Sequence, residues 1–233
     1  MEALVLYIVL FFPGILAWIS LLWLEGALAA AFSIQRELAR TLTYTLPAIA
    51  ILLYRISAGE SRQAGLQPNA PAAFPGKKGF SALKKITPGK KDILPFVIGL
   101  PVLIIIGLFI SFLIPLFTAL TPPPGIEGPY NFTGWLVIIL ACLGAGYLEE
   151  LYFRYYLLSG LQKTIPRTAV RVIFSVALFA LLHMHDGFWG ILNAAVAGLF
   201  LSALFLKFRS LHGLALAHAG YNVFVYFMAA GVR

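Results

Sequence analysis

Polar residues fall in a few clusters along this chain, and between them lie long apolar stretches. A hydrocarbon layer about 30 Å thick needs about 20 apolar residues of helix to cross it. Seven runs approach that length, roughly Ala3 to Leu24, Leu38 to Ser57, Ile93 to Leu120, Phe132 to Leu158, Ala169 to Met184, Phe188 to Phe208 and Leu211 to Ala230. Each predicts a transmembrane helix, giving an all-α, polytopic helical bundle of about seven helices. The second run is the weakest, because Arg40 and Arg55 shorten its apolar centre and Pro47 sits inside it; a half-inserted hairpin is the alternative there. Met1-Glu2 supplies no basic stretch ahead of the first run, and that run is too long for a secretory signal, so it reads as a retained helix.

Composition agrees with a lipid solvent. The chain is 61% hydrophobic and only 11% charged, against about 45–50% and 25% in an ordinary soluble domain. A formal charge of +8 invites a nucleic-acid reading, but the placement of the basic residues argues for membrane orientation instead. Arg55, Arg62, Lys77, Lys78, Lys84, Lys85, Lys90 and Lys91 lie between the second and third runs, and Lys163, Arg167, Arg171, Lys207 and Arg209 fall in alternate loops on the same side. The opposite side keeps only Arg36, Arg40 and Arg233, and Arg154 lies within the membrane. By the positive-inside rule the richer side faces the cytoplasm, which puts the N-terminus inside and the C-terminus outside.

The organisation that follows is a pair of peripheral helices at residues 1–57, a basic cytoplasmic loop at 58–92 and a transmembrane bundle at 93–233. The loop is rich in Gly, Pro and Lys, carries Phe80 and Leu83 among its lysines, and is suited to anionic headgroups or to docking a substrate. The Thr121-Pro-Pro-Pro-Gly125 turn ends the third helix, with Glu127 as the only charge near it. No buried charge is expected in the first two runs. Cys142 stands alone in an apolar run, so no intramolecular disulfide forms, and packing is its expected role.

Ionisable groups in a bilayer core cost at least about 2.5–3.5 kcal/mol each on insertion scales. Here they gather in the last four helices: Glu149, Glu150 and Arg154 on the fourth run, His183 on the fifth, His218 with Asn222 on the seventh. Counting from the nearest basic residue at 1.5 Å per residue places Glu149, His183 and His218 roughly 21, 18 and 14 Å deep, close enough to share one site in mid-membrane. Glu150 and Arg154 are i and i+4 and can pair, as His218 and Asn222 can face one cavity, and Phe179 stacks a ring one turn below His183. A structural ion pair would account for Glu150 and Arg154, and interhelical hydrogen bonds for the histidines. Glu149 is harder to dismiss, because one arginine cannot neutralise two adjacent carboxylates, and the leftover acid is in the condition of a general base. Asn193 reads as interhelical glue among small residues. His185 and Asp186 read as a polar helix end, Tyr147 as packing and His212 as solvated.

Glu149-Glu150-Leu-Tyr-Phe-Arg154, Phe179-Ala-Leu-Leu-His183 and His218-Ala-Gly-Tyr-Asn222 resemble the EExxxR, FxxxH and HxxxN motifs of the CPBP family of CAAX proteases and bacteriocin-processing enzymes, also called the Abi or type II CAAX prenyl endopeptidase family. The likeness spans about residues 132–225. It implies an intramembrane glutamate endopeptidase of a bacterial or archaeal cytoplasmic membrane, acting on membrane-embedded or lipidated peptides without cofactor, metal or nucleic acid. By the same resemblance Glu149 activates water, His183 holds or polarises it, His218 and Asn222 form an oxyanion hole, and Glu150, Arg154 and Phe179 support them. Two glutamates and two histidines could instead hold zinc, but adjacent helical residues point about 100° apart and no HExxH occurs. A non-catalytic scaffold or immunity protein is the alternative of another class. A transporter is a third, without the inverted repeat that would support it.

Overall fold

The computed structural model describes residues 1–11, 33–63, 88–117, 129 and 131–231, and these are helical apart from short connections. The second half of the first predicted run, most of the basic loop with Phe80 and Leu83, the Thr121–Gly125 turn, Glu127 and Arg233 lie outside the described residues. In chain order the helices are α1 (Glu2–Phe11), α2 (Ile34–Arg40), α3 (Leu46–Gln63), α4 (Ile93–Phe117), α5 (Phe132–Glu150), α6 (Thr168–Leu182), α7 (Gly187–Phe208) and α8 (Leu211–Gly231). Among the described residues no strand occurs. Among the described residues four segments are long and apolar enough to cross a membrane: Lys90–Phe117, Phe132–Gly160, Met184–Phe208 and Leu211–Ala230. These correspond to four of the seven predicted runs and make this an integral membrane protein of the all-α class.

The second run departs from expectation in an instructive way. The chain stays helical from Ile34 to Gln63, passing from α2 through a π-helical turn at Thr41–Thr45 into α3, so the half-inserted hairpin is not what forms. Pro47 lacks an N–H, and its ring crowds the carbonyl four residues back. The wider π turn immediately before it opens the room that the ring needs. The helix also starts early enough to take in Glu37, which is buried beside Arg40 at 2.7 Å. The expectation of no buried charge at this end is therefore corrected: Glu37 lies just ahead of the apolar run, where hydropathy alone did not look. At its other end α3 continues six residues into the stretch expected to be loop.

Helices α4, α5 and α8 form the frame. On α5, a Cβ at Gly146 would sit 2.8 Å from the Ala215 carbonyl oxygen and 3.1 Å from the Ala219 nitrogen of α8. On α4, Gly99 meets the Ala217 Cβ, and Gly107 leaves space for the Tyr221 ring. Small residues thus let three backbones approach closely, which is how helices gain dispersion contacts when lipid offers no hydrophobic contrast. At one end of the bundle the buried Asp92 accepts hydrogen bonds from the Gly89 N–H (2.7 Å) and the Ser210 hydroxyl, and Ser210 Oγ accepts from Gly213 N–H. That clamp fixes the start of α4 to the start of α8.

The fifth run is shorter than expected. Helix α6 stops at Leu182, His183 caps it, and Met184–Asp186 forms a single 3-10 turn before Gly187 takes a positive φ of 72°. Fifteen residues span about 22 Å, too little to cross alone. Arg171, counted above among the cytoplasmic bases, is buried and spends its guanidinium on the Ile165 and Pro166 carbonyls and the Thr168 hydroxyl, folding the loop onto the start of α6.

Candidate active site

The two glutamates end α5, and the chain continues as a π helix over Leu151–Gly160. Wider turns of this kind are rare and recur near functional sites. Across the junction Arg154 Nη1 donates to Glu150 Oε1 at 2.9 Å, both side chains being fully buried. This is the i,i+4 pairing legible in the sequence. The guanidinium also donates to the Gly198 carbonyl of α7 at 3.2 Å and lies 4.6 Å over the Phe179 ring of α6. A side chain at Gly198 would press on Phe179 at 3.0 Å, so the glycine is what admits that ring.

His218 completes the inner cluster. Its Nδ1 is 2.8 Å from Glu150 Oε1, and its Nε2 is 3.7 Å from Glu149 Oε2. Glu150 Oε1 therefore has two partners and Glu149 has no hydrogen bond among the described residues, and each acid keeps a buried Oε2 without one. With His218 protonated, two carboxylates face two cations, and a neutral cluster is far less costly to bury than one left with a net charge. The sequence argument that one arginine cannot balance two acids is answered by this histidine.

Depth along the helices is also corrected. Arg209 Nη1 reaches Ser159 Oγ at 3.3 Å, so Ser159 marks the basic end of this helix. Lys163, used as the zero above, lies in the turn beyond it. Ten residues from Ser159 place Glu149 at most about 15 Å in, a π helix rising less per residue than an α-helix, close to the about 14 Å for His218 from Arg209. On α6 the Ser175 hydroxyl donates to the Phe153 carbonyl at 2.8 Å, which puts Phe179 level with Glu149 and His183 about 6 Å further out.

The structure brings Glu149, Glu150, Arg154, Phe179 and His218 together as an inner tier. His183 joins through Phe179: the two rings are 4.9 Å apart, Phe179 is 5.8 Å from His218, and His183 Nδ1 is 2.9 Å from the Phe179 carbonyl oxygen. Asn222, half-buried one turn beyond His218, belongs to the same outer tier, with no side-chain hydrogen bond among the described residues. Asn193 in α7 donates to the Tyr221 hydroxyl at 3.1 Å, the glue role its small neighbours suggested, and keeps a buried Oδ1 without a partner.

Every one of these motifs lies in the stretch that matches a known family. Residues 131–224 match the family described as type II CAAX prenyl endopeptidase Rce1-like. The chain carries a domain of that family. The match begins at Asn131, whose side chain caps α5 by accepting from Gly134 N–H at 2.7 Å, and ends two residues past Asn222. No curated protein and no solved structure matches the chain. The match supports a CAAX protease-like intramembrane endopeptidase.

Other contacts escaped sequence reasoning. His212 is bonded to the Tyr147 hydroxyl at 2.9 Å rather than solvated, and Tyr147 does more than pack. Among the described residues no three His, Cys, Asp or Glu side chains are grouped to hold a metal ion. Glu150 is committed to Arg154 and His218.

Proposed function

We propose that this chain is an intramembrane glutamate endopeptidase in which Glu149 activates water against a peptide bond. The observation that carries the reading is the asymmetry of the acids: Glu150 Oε1 is taken by both Arg154 and His218, whereas Glu149 makes no hydrogen bond within the described residues, its nearest charged partner being His218 Nε2 at 3.7 Å. A carboxylate so placed takes a proton from water as the water attacks the amide carbonyl, and returns it to the leaving amine. His218 can donate to the developing oxyanion only in its protonated form, because Nδ1–H is spent on Glu150 and a neutral ring would leave Nε2 an acceptor. The neutral four-charge cluster favours that form. Asn222 supplies a second donor, and His183, one tier out, orients water or the substrate backbone. Each donor of this kind is worth about 10²–10³ in rate in studied acyl-transfer enzymes.

The substrate is a membrane-embedded or lipidated peptide reached from the bilayer or from the basic side, which the charge distribution makes cytoplasmic. Detergent-purified protein is to be incubated with farnesylated and unprenylated peptides ending in a CAAX sequence, with and without a chelator. Chelator-resistant cleavage that disappears in Glu149→Gln and falls at least tenfold in His218→Ala, both variants folding normally, is the expected result. Cleavage of the unprenylated peptide alone would narrow the substrate class to peptides without a lipid anchor. Equal activity in Glu149→Gln would overturn the mechanism.

A further inference from the structure

The family match begins at residue 131, and α1 lies far outside it. Yet α1 packs on the two helices that carry the first two motifs. Leu6, Leu10 and Phe11 are buried in the same apolar cluster as Tyr152, Phe153 and Phe179. Tyr7 lies in the middle of this contact. Its ring is 6.1 Å from Tyr152 and 6.3 Å from Phe153, and its hydroxyl crosses to α6, donating to the Leu178 carbonyl at 3.0 Å.

The residue after that carbonyl is Phe179, the ring on which Arg154, His183 and His218 all converge. Helix α6 ends four residues later, where the carbonyls of a last turn lack intrahelical partners and the backbone is prone to fray. Among the described residues the His183 ring hydrogen-bonds only to the Phe179 carbonyl. An external donor at Leu178 fixes the height and rotation of that turn relative to the glutamate-bearing helix. We infer that Tyr7 is a positioning residue of the site, setting Phe179 and His183 against Glu149 through its hydrogen bond to the Leu178 carbonyl.

The inference rests on the proposed endopeptidase reading for its rate consequence but not for its structural one. A second tyrosine provides the control. Tyr152 Oη donates to the Ala3 carbonyl at 2.6 Å, so its hydroxyl also anchors α1 but forms its hydrogen bond away from α6. The test compares Tyr7→Phe and Tyr152→Phe in the full chain in detergent, by hydrogen exchange of the peptide covering residues 178–186 and by steady-state cleavage of the farnesylated and unprenylated CAAX peptides. Tyr7→Phe is expected to raise exchange in 178–186 at least threefold and to lower kcat five- to tenfold with KM within twofold and an unchanged melting temperature. Tyr152→Phe is expected to match wild type in both readouts. If the wild type cleaves nothing, the endopeptidase reading fails while the exchange comparison still decides whether Tyr7 holds the end of α6. Wild-type exchange in Tyr7→Phe, or equal changes in both variants, would overturn the inference, the latter because simple docking of α1 would then suffice.

Discussion

Replacing Arg154 by Met tests the charge balance of the inner tier. Arg154 and Glu150 are both fully buried, 2.9 Å apart, and no water-facing surface is left to screen whichever charge survives. Removing one partner of such a pair costs about 3–5 kcal/mol, because the other is left buried and uncompensated. His218 offsets part of this by remaining on Glu150, and the loss of the guanidinium from the Phe179 ring and the Gly198 carbonyl adds to it. Arg154→Met is therefore expected near 3 kcal/mol, and Glu150→Gln similarly, since it strands the arginine. The double variant leaves no unpaired charge on either side of the lost bridge and should be destabilised by less than the sum, with a coupling of at least about 1.5 kcal/mol, inside the range measured for contacting residues. Denaturant unfolding of the four proteins in one detergent gives the cycle. A loss below about 1 kcal/mol for Arg154→Met, or strict additivity, would refute the claim that this bridge neutralises Glu150.

Two further outcomes concern packing and the outer tier. Gly146→Ala drives a methyl into backbone atoms of Ala215 and Ala219 that cannot step aside, so it should cost at least about 1–3 kcal/mol by overpacking, whereas Gly89→Ala, with open space around its Cβ position, should change unfolding little. Asn222→Ala should lower kcat by about 10²-fold with KM and unfolding nearly unchanged, as expected for a donor used only by the oxyanion, read from steady-state peptide cleavage.

Sequence spacing revealed whatever lies within one helix. The Glu150–Arg154 bridge and the Phe179–His183 ring contact follow from i,i+4 geometry, and the long apolar runs follow from bilayer thickness. Contacts between helices were not legible. That His218 bonds Glu150, 68 positions away, or that Tyr7 reaches Leu178, 171 positions away, depends on helix rotation and height, which hydropathy does not encode. The depth ruler failed for a related reason: it started from Lys163 in a turn, while the helix ends at Ser159, level with Arg209. The burial of Glu37, Asp92 and Arg171 escaped notice because each sits at a helix end, where a charge looks solvated until its partners are known.

The central claim is that water held by Glu149, and not the carboxylate itself, attacks the peptide bond. A single turnover in H2-18O followed by mass spectrometry of both product and enzyme tests it. The account expects 18O in the new carboxylate of the product and none in the peptide containing Glu149; label appearing in Glu149 would mean an acyl-enzyme anhydride and contradict it.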